Sequence, residues 1–203
     1  SHLCSAAITA IPIAKSGYLQ KRLQWNILYF SEAIKRIGFK IGNSIVDYDH
    51  LNWVDISLER YGEKIILPTD HLVSSNPENS SPLYCKEDIP DGMTGFDIGT
   101  DTIQNFSTQL GSTRKGTVFW NGPMGLFEKD VFSNGTNNIA KSMALAFWRG
   151  SKTIIGGGDT LDALKKAEVS ELEVTHVSTG GGATLTFLAG DEMPGIEVLN
   201  KIN

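Results

Sequence analysis

Two short runs in this chain carry residue types suited to holding an anion. Gly156-Gly157-Gly158-Asp159-Thr160 follows Thr153-Ile154-Ile155, and Ser178-Thr179-Gly180-Gly181-Gly182-Ala183 follows Val174 to Val177. Glycines let a backbone approach a phosphate oxygen closely. A helix that starts directly after them aims unpaired N–H groups and the positive end of its dipole at the same point. Asp159 would lie in the first helical turn, where a carboxylate is favoured, and it is a hard oxygen donor of the kind Mg²⁺ takes. Thr160 adds a hydroxyl that can reach a phosphate oxygen. Taken alone, the first run is better explained as a tight turn with a capping Asp, and the second as close helix–strand packing. Two such runs, one strand–helix unit apart, strengthen the anion reading. In a parallel sheet both turns leave at the carboxyl edge, where α/β proteins bind ligands.

A third run, Phe119-Trp120-Asn121-Gly122-Pro123-Met124-Gly125-Leu126-Phe127-Glu128, opens at the end of another apolar stretch. The Asn121 amide could bond a phosphate at that same edge, and Glu128 could accept from two ribose hydroxyls. A β-turn with a solvated Glu is the plainer alternative. It leaves the density of Gly, Pro and aromatic residues unexplained.

The elements that must position these runs follow from the hydrophobic pattern. Lys64–Pro68, Thr117–Trp120, Thr153–Ile155 and Val174–Ser178 read as buried strands. Helices are predicted over Thr136–Trp148, where Ile139, Met143 and Phe147 recur every four residues, and over Asp159–Ala167. Ala183–Ala189, Asp101–Leu110 and Glu32–Ile37 are further helical segments, and Asn76–Ser81 is a polar loop. Alternating strands and helices predict an α/β fold, a doubly wound and mostly parallel sheet in a Rossmann-like three-layer sandwich. The 203 residues are expected to form a single domain.

Composition narrows the partners. Hydrophobic residues make up 40% and charged residues 20%, with a net charge of −5 and 21 glycines. This is ordinary globular composition without the basic excess of a nucleic-acid surface. Cys4 and Cys85 have no paired-cysteine motif and the four histidines are scattered, so no zinc site is expected and reduced thiols in the cytoplasm are. Ser5–Ala14 is too short and lacks the basic leader of a signal or a membrane span. The P-loop sequence is absent, as is a Gly-x-Gly-x-x-Gly fingerprint after a first strand.

Taken together the runs resemble phosphoglycerate kinase. The matching segments are Ile89-Pro90-Asp91-Gly92 with Gly95-Phe96-Asp97-Ile98-Gly99, then Phe119–Glu128, Thr153–Thr160 and His176–Leu185. Leu188-Ala189-Gly190 with Pro194-Gly195 completes them, in family order. The resemblance implies an ADP/ATP site with Mg²⁺ in the C-terminal, nucleotide-binding half of that enzyme. Gly95 and Phe96 would line the adenine pocket and Glu128 would hold the ribose. Asn121 and Pro123 would flank the phosphates, which Gly157, Gly158, Asp159 and Thr160 would bind, Asp159 through the metal. Gly180, Gly181 and Gly182 would aim N–H groups at the transferring phosphoryl, with Gly158 and Gly181 nearest the chemistry. The implied reaction moves a phosphoryl group between 1,3-bisphosphoglycerate and ADP, in glycolysis. The N-terminal, phosphoglycerate-holding half of the family is not represented here. 3-Phosphoglycerate is therefore expected to bind only if that half is supplied, and the chain is expected to be a monomer inactive alone. Residues 1–30 diverge: Leu19 stands where a family lysine is expected, and Thr100 where the family usually has Pro. Two other readings remain, a non-catalytic interaction module on the same fold and a dinucleotide-binding dehydrogenase domain.

Overall fold

The computed structural model describes residues 7–11, 66–78, 81–86, 89–181, 183–184, 187, 192–195 and 198. The segment predicted as a helix at Glu32–Ile37 lies outside them. So do Gly182, Lys64 and Ile65.

Two sheets organise the described residues. The first has strand order β1-β5-β6-β7, built from β1 (Ala7–Ile11), β5 (Thr117–Asn121), β6 (Lys152–Gly156) and β7 (His176–Ser178). Strands β5, β6 and β7 run parallel, with Asn121 opposite Gly156 and Gly156 opposite Ser178, while β1 pairs antiparallel with β5. The parallel strands are joined through helices, as the alternation predicted. Helix α1 (Thr100–Ser112) precedes β5, α2 (Asn134–Trp148) links β5 to β6, and α3 (Gly158–Lys166) links β6 to β7.

The core lies where these elements meet. Leu110, Val118, Trp120, Ile139, Met143, Ile155 and Leu164 are all buried there. Each large apolar side chain withdrawn from water contributes about 1.5–3 kcal/mol before conformational entropy is subtracted. The four-residue recurrence in α2 does its expected work, since Ile139 and Met143 are wholly buried on one face. Trp120 keeps its indole N–H satisfied by donating to the Gly122 carbonyl at 2.7 Å. This fixes the turn that ends β5.

The second sheet is antiparallel, order β3-β2-β4, from β2 (Asp70–Ser74), β3 (Leu83–Lys86) and β4 (Thr94–Ile98). It corrects the expected strand at Lys64–Pro68: residues 66–68 are outside any strand, and the strand starts at Asp70. Pro68 has no N–H to give a ladder. The residues that do pair include Asp70 and His71, both buried. Asp70 is buried because it caps α1 from a distance. Its carboxylate accepts from the N–H groups of Asp101 (2.8 Å) and Thr102 (2.7 Å), and it also takes the Thr102 hydroxyl. Burial raises the Asp70 pKa, but these donors outweigh it and hold the carboxyl below its ordinary value. Thr100 is the first residue of α1, a position where Pro is also accommodated.

Candidate functional site

The strand ends bring the three sequence runs together. Asn121, Gly156 and Ser178 are in register at the carboxyl edge of β5, β6 and β7. Gly157 takes a positive φ of 90°, a conformation that side chains rarely allow, and its N–H donates to the Ser178 carbonyl at 2.9 Å. A methyl group placed on Gly157 would lie 3.4 Å from Asn121 Oδ1 and 3.9 Å from the Gly181 Cα. Gly181, also at positive φ (47°), faces back: a methyl group there would lie 4.0 Å from the Gly157 Cα. The two glycine turns and the Asn121 amide therefore meet on one rim.

Helix α3 begins at this rim. Its N-cap, Gly157, supplies no side-chain bond, and the only carboxylate of the first turn is Asp159. The first N–H groups of a helix have no acceptor within it. A methyl group on Gly158 would meet nothing within 4 Å. Gly158 and Asp159 are both exposed, so the helix start and its carboxylate face open space. A metal with oxygen preference and an anion are the ligands this donor set fits. Among the described residues no group of three or more His, Cys, Asp or Glu could hold a metal ion by itself. Any metal here would share its coordination between Asp159 and the ligand.

Thr160 is positioned differently from Asp159. It is buried, and its Oγ1 accepts from the Gly122 N–H at 2.7 Å, tying the start of α3 to the loop after β5. That loop is further held by Thr136 in the first turn of α2, whose hydroxyl accepts from Met124 N (3.0 Å) and Gly125 N (3.3 Å). Pro123 is buried beneath it, while Glu128 is exposed at its far end. The Glu128 carbonyl accepts from Lys166 Nζ at 3.0 Å, and the same ammonium pairs with Asp130 at 2.8 Å. Helix α3 thus starts at the glycine rim and ends against the segment carrying Glu128.

Gly95 and Phe96 lie on β4, in the other sheet. The Phe96 carbonyl accepts from Leu126 N at 2.7 Å, which joins β4 to the same loop, and the Phe96 ring sits 5.0 Å from that of Phe132. In the second glycine turn, Ala183 N and Thr184 N donate to the carbonyls of Gly180 (2.9 Å) and Gly181 (3.1 Å). The Ser178 and Thr184 hydroxyls bond each other beneath that turn. Sequence reasoning missed Thr136, Lys166 and the Ser178–Thr184 pair. Their signal is tertiary, because each is an unremarkable residue until the loops it holds are placed.

Parallel strands whose glycine-rich turns meet over their carboxyl ends define the class: a Rossmann-like α/β protein. Its structure overlays on that of phosphoglycerate kinase from Coxiella burnetii with a TM-score of 0.67, at 30% identity, covering 89% of this chain and 44% of that one. The family model for phosphoglycerate kinase matches residues 29–191, and the chain belongs to the phosphoglycerate kinase family. It is 42% identical over 168 residues to phosphoglycerate kinase from Solibacter usitatus, covering 83% of this chain and 41% of that protein. It is 40% identical over 172 residues to the cytosolic phosphoglycerate kinase 3 of Arabidopsis thaliana, covering 82% and 42%. The chain therefore spans about two-fifths of the length of these relatives. The family match begins at residue 29, leaving most of the divergent first thirty residues outside it. No helix among the described residues is long and apolar enough to cross a membrane.

Proposed function

We propose that this chain forms the Mg-ADP/ATP-holding part of a phosphoglycerate kinase and serves phosphoryl transfer between 1,3-bisphosphoglycerate and ADP. The observation that carries this reading is the approach of Gly157 to Gly181 beside Asn121, next to an uncapped helix start bearing an exposed Asp159. Phosphoryl transfer demands positioning and stabilisation of charge spread over phosphate oxygens. The N–H groups of Gly158 and Gly181 are preorganised donors for those oxygens, whereas Gly180 N already donates to the Ser178 hydroxyl at 3.4 Å. Mg²⁺, when bound with the nucleotide, would neutralise phosphate charge, and Asp159 is the residue that would hold it. Thr160 serves by securing Gly122, and through it the loop that carries Asn121 and Pro123 at one end and Glu128 at the other. On this reading Glu128 binds ribose, and Gly95 and Phe96 border the base.

A second reading, a non-catalytic module on the same fold, draws on the start of the family match at residue 29. Replacement of Asp159 separates the two. Calorimetric titration with Mg-ADP should give a Kd between about 1 μM and 1 mM. Asp159→Ala should weaken it at least tenfold, the effect of losing a charge-assisted contact of about 1.5–3 kcal/mol. Equal affinity of the two proteins would refute the assigned metal-holding role. A folded native chain that gives no heat at millimolar ligand would reject the nucleotide site itself.

A further inference from the structure

Asp97 has no part in the reading above, yet it is wholly buried at the junction of three segments. It stands on β4 directly after Phe96. Its Oδ2 accepts from Gly135 N at 2.7 Å, in the first turn of α2, and its Oδ1 accepts from Ile98 N at 2.9 Å. Two glycines crowd the carboxyl. A methyl group on Gly135 would lie 2.2 Å from Oδ1, and one on Gly125 would lie 2.6 Å from the same atom. Gly125 belongs to the loop between Asn121 and Glu128, and its neighbour Leu126 bonds the Phe96 carbonyl. A buried carboxylate thus sits where β4, that loop and the start of α2 touch.

We propose that Asp97 is a positioning residue for the nucleotide: its ionised carboxyl ties β4 to the first turn of α2 with the Gly125 backbone packed against it, and so fixes Phe96 relative to the loop carrying Glu128. The proposal rests on the nucleotide reading and adds a proton-dependent control to it. Ionised, both oxygens accept strongly from N–H groups. Protonated, the oxygen bearing the proton accepts weakly and one arm of the clamp loosens. Burial pushes the carboxyl up to about 7, against the two N–H donors that favour its ionised form. Among the described residues, the titratable groups on the surrounding elements are Asp70 and His71 of β2, Asp91 before β4, Glu128, Lys129 and Asp130 after the loop, and Lys141 of α2. Among the described residues, the donors to this carboxyl are the backbone N–H groups of Ile98 and Gly135. The clamp therefore titrates under the control of burial and backbone donors, within the neutral range. A nucleotide that requires the closed clamp binds the ionised form more tightly, and by reciprocity lowers the pH at which Asp97 takes up its proton.

The test compares Mg-ADP affinity from pH 5.5 to 8.5 in the native chain and in Asp97→Asn. Both titrations contain the same nucleotide, so its own protonation cancels in the comparison. From pH 8 to pH 6 the native affinity should fall about threefold to tenfold more than that of the variant. In parallel, the Asp97 carboxyl carbon of the native chain, followed by ¹³C NMR, should titrate at least half a unit lower with saturating Mg-ADP than without it. Superimposable pH profiles, or an unchanged titration midpoint, would overturn the proposal. If Asp97→Asn does not fold, the NMR titration of the native chain decides alone. Mg-ADP binding absent at every pH is a distinct result, which removes the nucleotide reading and this proposal with it.

Discussion

Two buried aspartates show how much of this molecule is decided by single carboxyls. Asp70 and Asp97 each reach from a strand of the antiparallel sheet to the first turn of a helix, and each accepts two backbone N–H bonds. Their titrations have opposite consequences. Asp70 is held below the ordinary carboxylate value, so the stability it contributes is present above that value and lost as pH falls through its lowered pKa. Asp97 is raised to about 7, so its contribution is greatest below the ordinary carboxylate range and is lost as pH rises through neutrality. Asp70→Ala is expected to cost about 1–3 kcal/mol at pH 7, by loss of the cap and two unsatisfied donors. Thermal denaturation of the two proteins measures this. The difference should shrink in acid, and a constant difference from pH 7 to pH 3 would contradict the assignment. Neither role was legible in the sequence. Asp97 was visible only as part of the run Gly95–Gly99, and nothing in the sequence singled out Asp70. A single acidic residue in a short run gives no sign that a helix start lies opposite it.

At the scale of elements, legibility followed hydrophobic pattern. Strands β5 and β6 and the helices α1, α2 and α3 were expected close to their observed limits, since each buries a continuous or four-residue apolar pattern. The antiparallel sheet escaped notice for a physical reason. Strand β2 buries Asp70, His71 and Ser74, β3 is largely exposed, and β4 contains Gly95 and Asp97. None of these alternates apolar and polar residues in the way a half-buried strand does. The glycine runs were legible as candidates because composition alone flags them, whereas their meeting depends on the register of β5, β6 and β7. That meeting leaves little tolerance at Gly157. Gly157→Ala must accept a φ of 90°, at a cost of about 1–3 kcal/mol, or else shift the turn away from Asn121 and Gly181. Lower melting temperature together with at least tenfold weaker Mg-ADP binding is expected. Unchanged affinity in a destabilised but folded variant would detach the turn from the ligand.

At the scale of the whole molecule, the chain corresponds to about two-fifths of the length of its relatives. A reaction that needs two substrates held in line draws its rate from contacts to both. The proposed nucleotide site would account for one of them. The 203 residues alone are expected to bind nucleotide without measurable phosphoryl transfer from 1,3-bisphosphoglycerate, read in a coupled assay for ATP. Turnover above the uncatalysed rate would show that this chain already holds both substrates.

The central claim is that the turns at Gly157 and Gly181 form one anion cradle beside Asp159. Amide-resolved NMR of the ¹⁵N-labelled chain, titrated with Mg-ADP, tests it most directly. The account predicts the largest shifts at Gly157, Gly158, Asp159 and Gly181, saturating together with a single affinity. Shifts confined to one turn, or centred on residues remote from both, would contradict it.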